Sequence, residues 1–267
     1  MRLNRLWALP LTLALASCNL GEPRMGSFSR SLQVSGPVTL EVESGAGDIT
    51  VHAGSDTMVG INARIRARDS FSGLSAEAKI QRLRDKPPIE QDGHKIRVGR
   101  IDDPALTRNV FLSYDLTVPA QTRLTLKTGA GSQFIQGTQL ALEAWSGAGR
   151  ITVENVGGNA DVHTGAGSIE VRSPQGTLTA ETGAGSVRAT GDPKHEWRIQ
   201  VGAGSINLEV PSKASFDLEA ESGFGRVTVN PNLKLDGSVS NRRVNAKVGD
   251  GGPTVRLSSG AGAIRIE

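Results

Sequence analysis

The sequence has 267 residues and is nearly charge-balanced, with 30 Lys+Arg against 27 Asp+Glu, a length of one or two domains. Two of the positive charges, Arg2 and Arg5, lie in an N-terminal targeting segment, so the net +3 falls to +1 for the exported chain; no Lys/Arg run forms a phosphate-binding stripe, and no nucleic-acid partner is expected. Aromatic residues are only 4%, while 33 glycines occur without a G-X-Y period, which excludes collagen and points to many tight turns.

Residues 1–17 read as a signal peptide. Arg2 and Arg5 make a positive start, and residues 6–15 form an apolar stretch interrupted by Pro10. That stretch is too short for a stable membrane-spanning helix, which needs about 20 apolar residues. Leu15-Ala16-Ser17-Cys18 resembles the lipobox of bacterial lipoproteins, in which the cysteine becomes the acylated N-terminus. Cys18 is the only cysteine, so no intramolecular disulfide can form. The expected partner is therefore a membrane, reached through acyl chains on Cys18. Asn19 stands where lipoproteins kept at the inner membrane often carry Asp, which points to the outer membrane, facing periplasm or surface, if the cell has one. Residues 18–31 are polar with Gly, Pro and Ser, and read as a lipidated flexible tether. Residues 32–267 read as one β-repeat domain.

The first copy of the repeat follows. Leu40 and Val42 alternate with Glu41 and Glu43, reach Gly45-Ala46-Gly47, and resume as Ile49 and Val51. An insertion at about 55–120 interrupts the series. Residues 58–66 alternate in part and predict a strand. Leu74, Ala78, Ile80 and Leu83 share one helical face, ended by Pro87-Pro88. Residues 89–98 predict a hairpin with an Asp-Gly turn, and residues 110–118 a strand ending before Pro119.

The unit then recurs with the glycine pairs Gly129 and Gly131, Gly147 and Gly149, Gly165 and Gly167, Gly183 and Gly185, Gly202 and Gly204, Gly223 and Gly225, and Gly260 and Gly262. From Gly129 the first glycines are spaced 18, 18, 18, 19, 21 and 37 residues, a structural period with one degenerate unit expected in the last gap. Five and three residues before each first glycine the side chain is always apolar, as with Leu142 and Ala144, or Ala160 and Val162. Four and two residues before, it is polar except for Trp145. This is the period-2 pattern of a strand with one buried face. After the glycines the alternation resumes, except that Phe134 and Ile135 look out of phase, as a bulge would make them.

An 18-residue unit of strand, G-A-G turn, strand and turn suits an all-β solenoid with equivalent residues stacked about 4.8 Å apart. The alternative is a β-sandwich of hairpins. Stacking explains why every turn repeats the same residues, a Ser or Thr ahead of small Gly-Ala-Gly corners; a hairpin has no such need. The insertion then serves as a cap.

Little on this frame carries chemistry. The residue after each G-A-G is Asp48, Ser132, Arg150, Ser168, Ser186, Ser205, Arg226 or Ala263, too few acids for a calcium-binding roll. The glycines lack the following helix of a dinucleotide site, and read as structural corners at positive φ. His52, His94, His163 and His195 form no close-spaced metal pair. No cofactor, metal or catalytic set is expected. If the units stack, the outward columns gather Trp145, Asp161, His163, Glu181 and Arg198 into a face for a glycan or an envelope protein, against the simpler reading of an ordinary solvated wall.

Residues 118–120 leading into 124–129, and residues 251–258 leading into Ser259-Gly260-Ala261-Gly262, resemble the bacterial "putative adhesin" family of β-strand-repeat proteins, over about residues 31–267. The resemblance implies a right-handed β-helix-like fold, a cell-envelope location and no catalytic residues to carry over. The leading expectation is a non-enzymatic lipid-anchored interaction or scaffold module. The alternatives are a β-helix polysaccharide-active enzyme and a sensory accessory of envelope stress.

Overall fold

A computed structural model describes residues 22–54, 56–70 and 73–267. The signal peptide, Cys18 and Asn19 lie outside the described residues. The chain opens with β1 (Arg24–Gln33), then the first coil, β2 (Val38–Ala46) and β3 (Ile49–Ala53). The insertion follows as β4 (Met58–Ala67), α1 (Ala76–Asp85), β5 (Ile89–Asp92), β6 (Lys95–Val98), α2 (Pro104–Thr107) and β7 (Val110–Val118). Five coils come next: β8 (Thr122–Ala130) with β9 (Gln133–Gln136), β10 (Leu142–Ala148) with β11 (Ile151–Glu154), and β12 (Ala160–Ala166) with β13 (Ile169–Arg172); then β14 (Leu178–Ala184) with β15 (Val187–Thr190), and β16 (Trp197–Ala203) with β17 (Ile206–Glu209). The chain ends with β18 (Phe216–Phe224) and β19 (Val227–Val229), a hairpin β20 (Leu235–Val239) and β21 (Arg243–Val248), and a last coil β22 (Thr254–Ala261) and β23 (Ile264–Ile266).

Each coil gives one strand to each of two largely parallel sheets, of eleven and twelve strands, that face one another across the core. The fold is the expected β-solenoid. Stacking is in register: Leu142 lies opposite Ala160 and Ala160 opposite Leu178, and beside them Ala144, Val162 and Ala180 form a second ladder. All six are 2% exposed or less. Burying one Leu side chain is worth about 1.5–3 kcal/mol, so these ladders drive the stacking.

The corners explain the repeated residues. A Cβ added at Gly147 would lie 2.5 Å from the Gly129 carbonyl oxygen of the coil beneath, and the same collision recurs from coil to coil. The second glycine, such as Gly149 with φ +150° or Gly185 with φ +144°, adds a backbone conformation that L-residues rarely adopt. The hydroxyl ahead of each corner is buried and donates to the neighbouring coil. Ser146 reaches Gly131 O (3.3 Å), Thr164 Gly149 O (3.4 Å), Thr182 Gly167 O (3.1 Å), Ser222 Gly262 O (2.8 Å) and Ser259 Gly204 O (3.1 Å). In this column Val201 is the apolar exception, and Thr128 instead accepts from Gln133.

Five expectations need correction. Residues 24–31, read as tether, belong to β1, which pairs antiparallel along all of β4. Gly26, Phe28 and Leu32 alternate toward the interior, a period masked by the Ser/Arg composition; Gly26 lies beneath Ile80 of α1. Positive φ does not extend to every corner glycine. It marks the second glycine of a pair, as at Gly185, and not the first, such as Gly183. Gly225 is a second glycine without it; there a side chain is excluded because an added Cβ would collide with the Gly262 carbonyl oxygen. No bulge follows Gly131: Gln133 sits opposite Ile151 and Ile135 opposite Val153. Gln133 fills an apolar position because its amide donates to Thr128 Oγ1 (3.0 Å) and Trp145 O (2.7 Å). The gap after Gly223 holds an antiparallel hairpin, not a degenerate coil. The last coil then inserts between β16–β17 and β18–β19, out of chain order. Finally, the first hairpin turns on Gly93-His94, with Asp92 still paired to Lys95.

Both ends carry caps. At the C-terminal end β21 and β20 continue the second sheet antiparallel from β18. At the other end β6 and β7 add a layer to the first coil, covered by β4, β1 and β5. Helix α1 starts at Ser75, whose side chain accepts from Ala78 N–H, and stops before Pro87. Its buried Lys79 donates to Arg68 O (3.2 Å), Ser70 Oγ (2.8 Å) and Arg108 O (2.8 Å), tying the helix to the segments flanking β4 and β7.

The corner collision gives a paired test. Nothing lies within 4 Å of a Cβ added at Gly45, the equivalent of Gly147. Gly147→Ala is expected to cost at least about 2 kcal/mol in denaturant unfolding, and Gly45→Ala no more than about 0.5 kcal/mol. Equal costs would contradict the carbonyl contact as the reason for glycine.

Candidate functional site

The strands ahead of the corners place alternate side chains outward, and in-register stacking turns them into columns. In one column Trp145, His163 and Glu181 are successive partners; in the next, Glu143, Asp161, Thr179 and Arg198. The wall of the second sheet therefore brings together four of the five residues singled out from sequence.

His163 is the centre of that group. Its ring stacks on Trp145 with centroids 4.0 Å apart and planes at 11°. Nε2 lies 2.6 Å from Asp161 Oδ1, and Nδ1 lies 3.2 Å from Glu181 Oε2. An imidazole can donate from both nitrogens only when it carries both protons, so that form satisfies both carboxylates at once. The column spacing produces the stack: residues one coil apart sit about 4.8 Å from each other, close to ring-stacking distance. Trp145 remains 44% exposed, but its face toward the later coils is covered by the imidazole. A sugar ring seeking a flat aromatic platform cannot use that face.

Beside the stack runs an open groove of about 500 Å³, lined by Trp145, His163, Glu181, Gln200 and the corner glycines Gly165 and Gly183. Arg198 does not join it. It pairs with Glu196 (3.2 Å), which also accepts from Arg256 (2.8 Å), and Arg256 reaches Glu219 (2.8 Å). The Glu219 hydrogen bond and charge, then those of Glu196, push the Arg256 pKa up. Glu143 makes no ion pair among the described residues.

Similar cross-coil pairing marks the rest of the wall. Glu41 is held below the usual carboxylate range, first by a hydrogen bond from Lys95 (2.8 Å) and then by Arg97 (3.2 Å). On the first sheet Arg172 bridges Glu154 and Glu170, and its pKa is raised first by the Glu154 hydrogen bond. Among the described residues no group of three or more His, Cys, Asp or Glu is arranged to hold a metal ion.

Sequence reasoning missed a different cluster. On β4, Arg64 and Arg66 face outward with Arg68 just beyond, while Ile65 and Ala67 are buried. Arg66 pairs with Met25 on one side and with Phe111 on the other. The signal was the alternation Arg64-Ile65-Arg66-Ala67-Arg68, visible as a charged strand face once β4 is paired on both sides.

The imidazole cover on Trp145 is measurable. His163→Ala is expected to raise acrylamide quenching and to shift emission to the red, because the other tryptophan of the described chain, Trp197, is fully buried. An unchanged quenching constant would mean that the ring is not covered.

The Toastrack DUF4097 family matches residues 38–267. No curated protein matches the chain. Among solved structures, a "putative cell adhesion protein" from Clostridium sporogenes shares 14% identity at a TM-score of 0.41, and covers 92% of this chain and 99% of its own. A "putative adhesin" from Bacteroides fragilis shares 12% identity at a TM-score of 0.45 over the same shares of each chain. The solenoid, its eight G-x-G corners and the match over all of them lead to one conclusion: this chain belongs to the Toastrack DUF4097 family.

Proposed function

We propose that the chain is a non-enzymatic interaction or scaffold module of the cell envelope, exported and held on a membrane through acyl chains on Cys18. The observation that carries this reading is the order of charge, apolar stretch, small residues and Cys18 at the N-terminus, followed six residues later by the first strand at Arg24. Asn19 directs the mature protein to the outer membrane where one exists.

The outward wall supports a binding role over a catalytic one. The nearest carboxylates on it, Asp161 and Glu181, both already contact His163, and the arginines Arg198 and Arg256 are engaged by Glu196 and Glu219. A glycoside hydrolase needs a pair of carboxylates facing substrate, and of the three beside Trp145 and His163 only Glu143 has no ion-pair partner among the described residues. Exposed polar ladders on a rigid frame suit contact with another envelope component.

Metabolic labelling with an alkyne fatty acid tests the anchor. The wild-type chain is expected to be labelled and to fractionate with membranes, and Cys18→Ser to be unlabelled. Equal labelling of the two would overturn acylation at Cys18.

A further inference from the structure

We propose that the outward face of β1, β4 and β7 is a membrane-contact surface that seats on anionic lipid headgroups. Orientation toward the bilayer rests on the anchoring proposed above; the surface itself is argued from its own residues.

Four observations converge on it. Arg24 lies six residues from Cys18, a span of at most about 20 Å even fully extended, so the β1 edge stays close to any lipid held there. Arg64 and Arg66 project from one face of β4 with Arg68 just beyond it, and none has an ion-pair partner among the described residues, unlike Arg97, Arg198, Arg243 and Arg256 of the opposite wall. Two of the six exposed large apolar side chains among the described residues sit in the same row, Met25 at 68% and Phe111 at 36% exposure. The Arg66 guanidinium lies over the Phe111 ring, 4.3 Å from its centroid. Together Met25, Arg64, Arg66 and Phe111 border a shallow hollow of about 340 Å³.

Apolar tips with unpaired arginines around them match a headgroup region, where charge meets phosphate and apolar atoms reach the acyl boundary. The neighbouring acids do not outweigh the patch. Asp48, the one acid lining the hollow, keeps its charge while accepting from Ser132 N–H and is outnumbered by the three arginines, and Asp115 lies further along, opposite Asn62. A lipid chain combined with a basic patch is also the pairing that converts weak membrane attachment into a stable one.

The test uses the chain from Cys18 onward, unacylated, which contains every described residue. Co-sedimentation is measured with phosphatidylglycerol-containing vesicles and with pure phosphatidylcholine. Binding to the anionic vesicles is expected, and is expected to weaken as salt rises. Each arginine near such a surface is worth about fivefold in partition. Arg64→Gln/Arg66→Gln/Arg68→Gln should therefore lower partition at least about tenfold. Arg242→Gln/Arg243→Gln, at the far cap, should leave it within about twofold. Equal binding to both vesicle types, or an unchanged triple variant, would overturn the proposal; so would an equal loss in the far-cap variant. No acyl chain is present, so failure here leaves the Cys18 labelling result standing, and failure of labelling leaves this one standing.

Discussion

The spacing between coils at the G-A-G corner governs the molecule. Parallel strands hydrogen-bond about 4.8 Å apart, and the corner backbones must keep that distance while changing direction. At Gly147 the carbonyl of Gly129 occupies the space a side chain would take. The buried hydroxyl ahead of the corner then satisfies a carbonyl that would otherwise be left without a donor, as Thr182 does for Gly167. The two small residues fix the register of each coil, and in most coils the hydroxyl ahead of the corner adds a further tie. Once register is fixed, a one-residue slip would turn Leu142 and Val162 outward, so the apolar ladders hold the same alignment from within.

A stack built this way has no natural end. Each terminal coil presents the same edges as an interior one, which invites pairing with another molecule. The chain answers differently at its two ends. At the start, the insertion supplies antiparallel β4, which pairs with β1, and α1 is pinned beneath them by Ile80 and the buried Lys79. At the finish, β18–β19 is laid down as the outermost coil and capped by β21 and β20, and only then does the chain return to fill the slot beside β16–β17. Gly249, Gly251 and Gly252, all at positive φ, make that return. The last coil is bordered on both sides, so neither the C-terminal strand β22 nor β23 is a sheet edge.

The repeat, the two-strand unit and the capping role of the insertion were legible because they rest on local period and on glycine, which sequence shows directly. What was missed depends on order in space. The 37-residue gap looked like two coils because spacing counts residues, whereas the structure places the C-terminal coil out of sequence. For the same reason Gly225 meets the carbonyl of Gly262, from a coil that comes later in the chain, and not one from the coil before it. Gln133 looked like a phase error because its burial depends on a partner in the next coil, the Trp145 carbonyl. That Trp145, Asp161, His163, Glu181 and Arg198 stand outward in columns follows from register alone. That His163 would lie flat on Trp145 does not follow from register, nor does the pairing of Arg198 with Glu196 instead of the stack. β1 was missed because its exposed side is mostly Ser, and Arg24 and Arg30 interrupt the apolar side marked by Gly26, Phe28 and Leu32.

The two sheets share one core, so their outward faces point in opposite directions. This links the anchor, the basic row and the histidine stack. If the chain is tied at Cys18 as proposed, with β1 against the headgroups, it lies along the membrane on the wall of its first sheet. The wall of the second sheet, with Trp145, His163 and the groove beside them, then faces the aqueous compartment. Standing the rod upright would instead lift most of that wall away from the bilayer and leave Met25 and Phe111 in water. The seated arrangement covers those apolar groups and gives the three unpaired arginines partners. It also divides the labour between the two faces: the β1–β4–β7 end of the first carries unpaired cations that neutralise a surface, while the second offers a groove beside a histidine whose carboxylate contacts are already made within the protein.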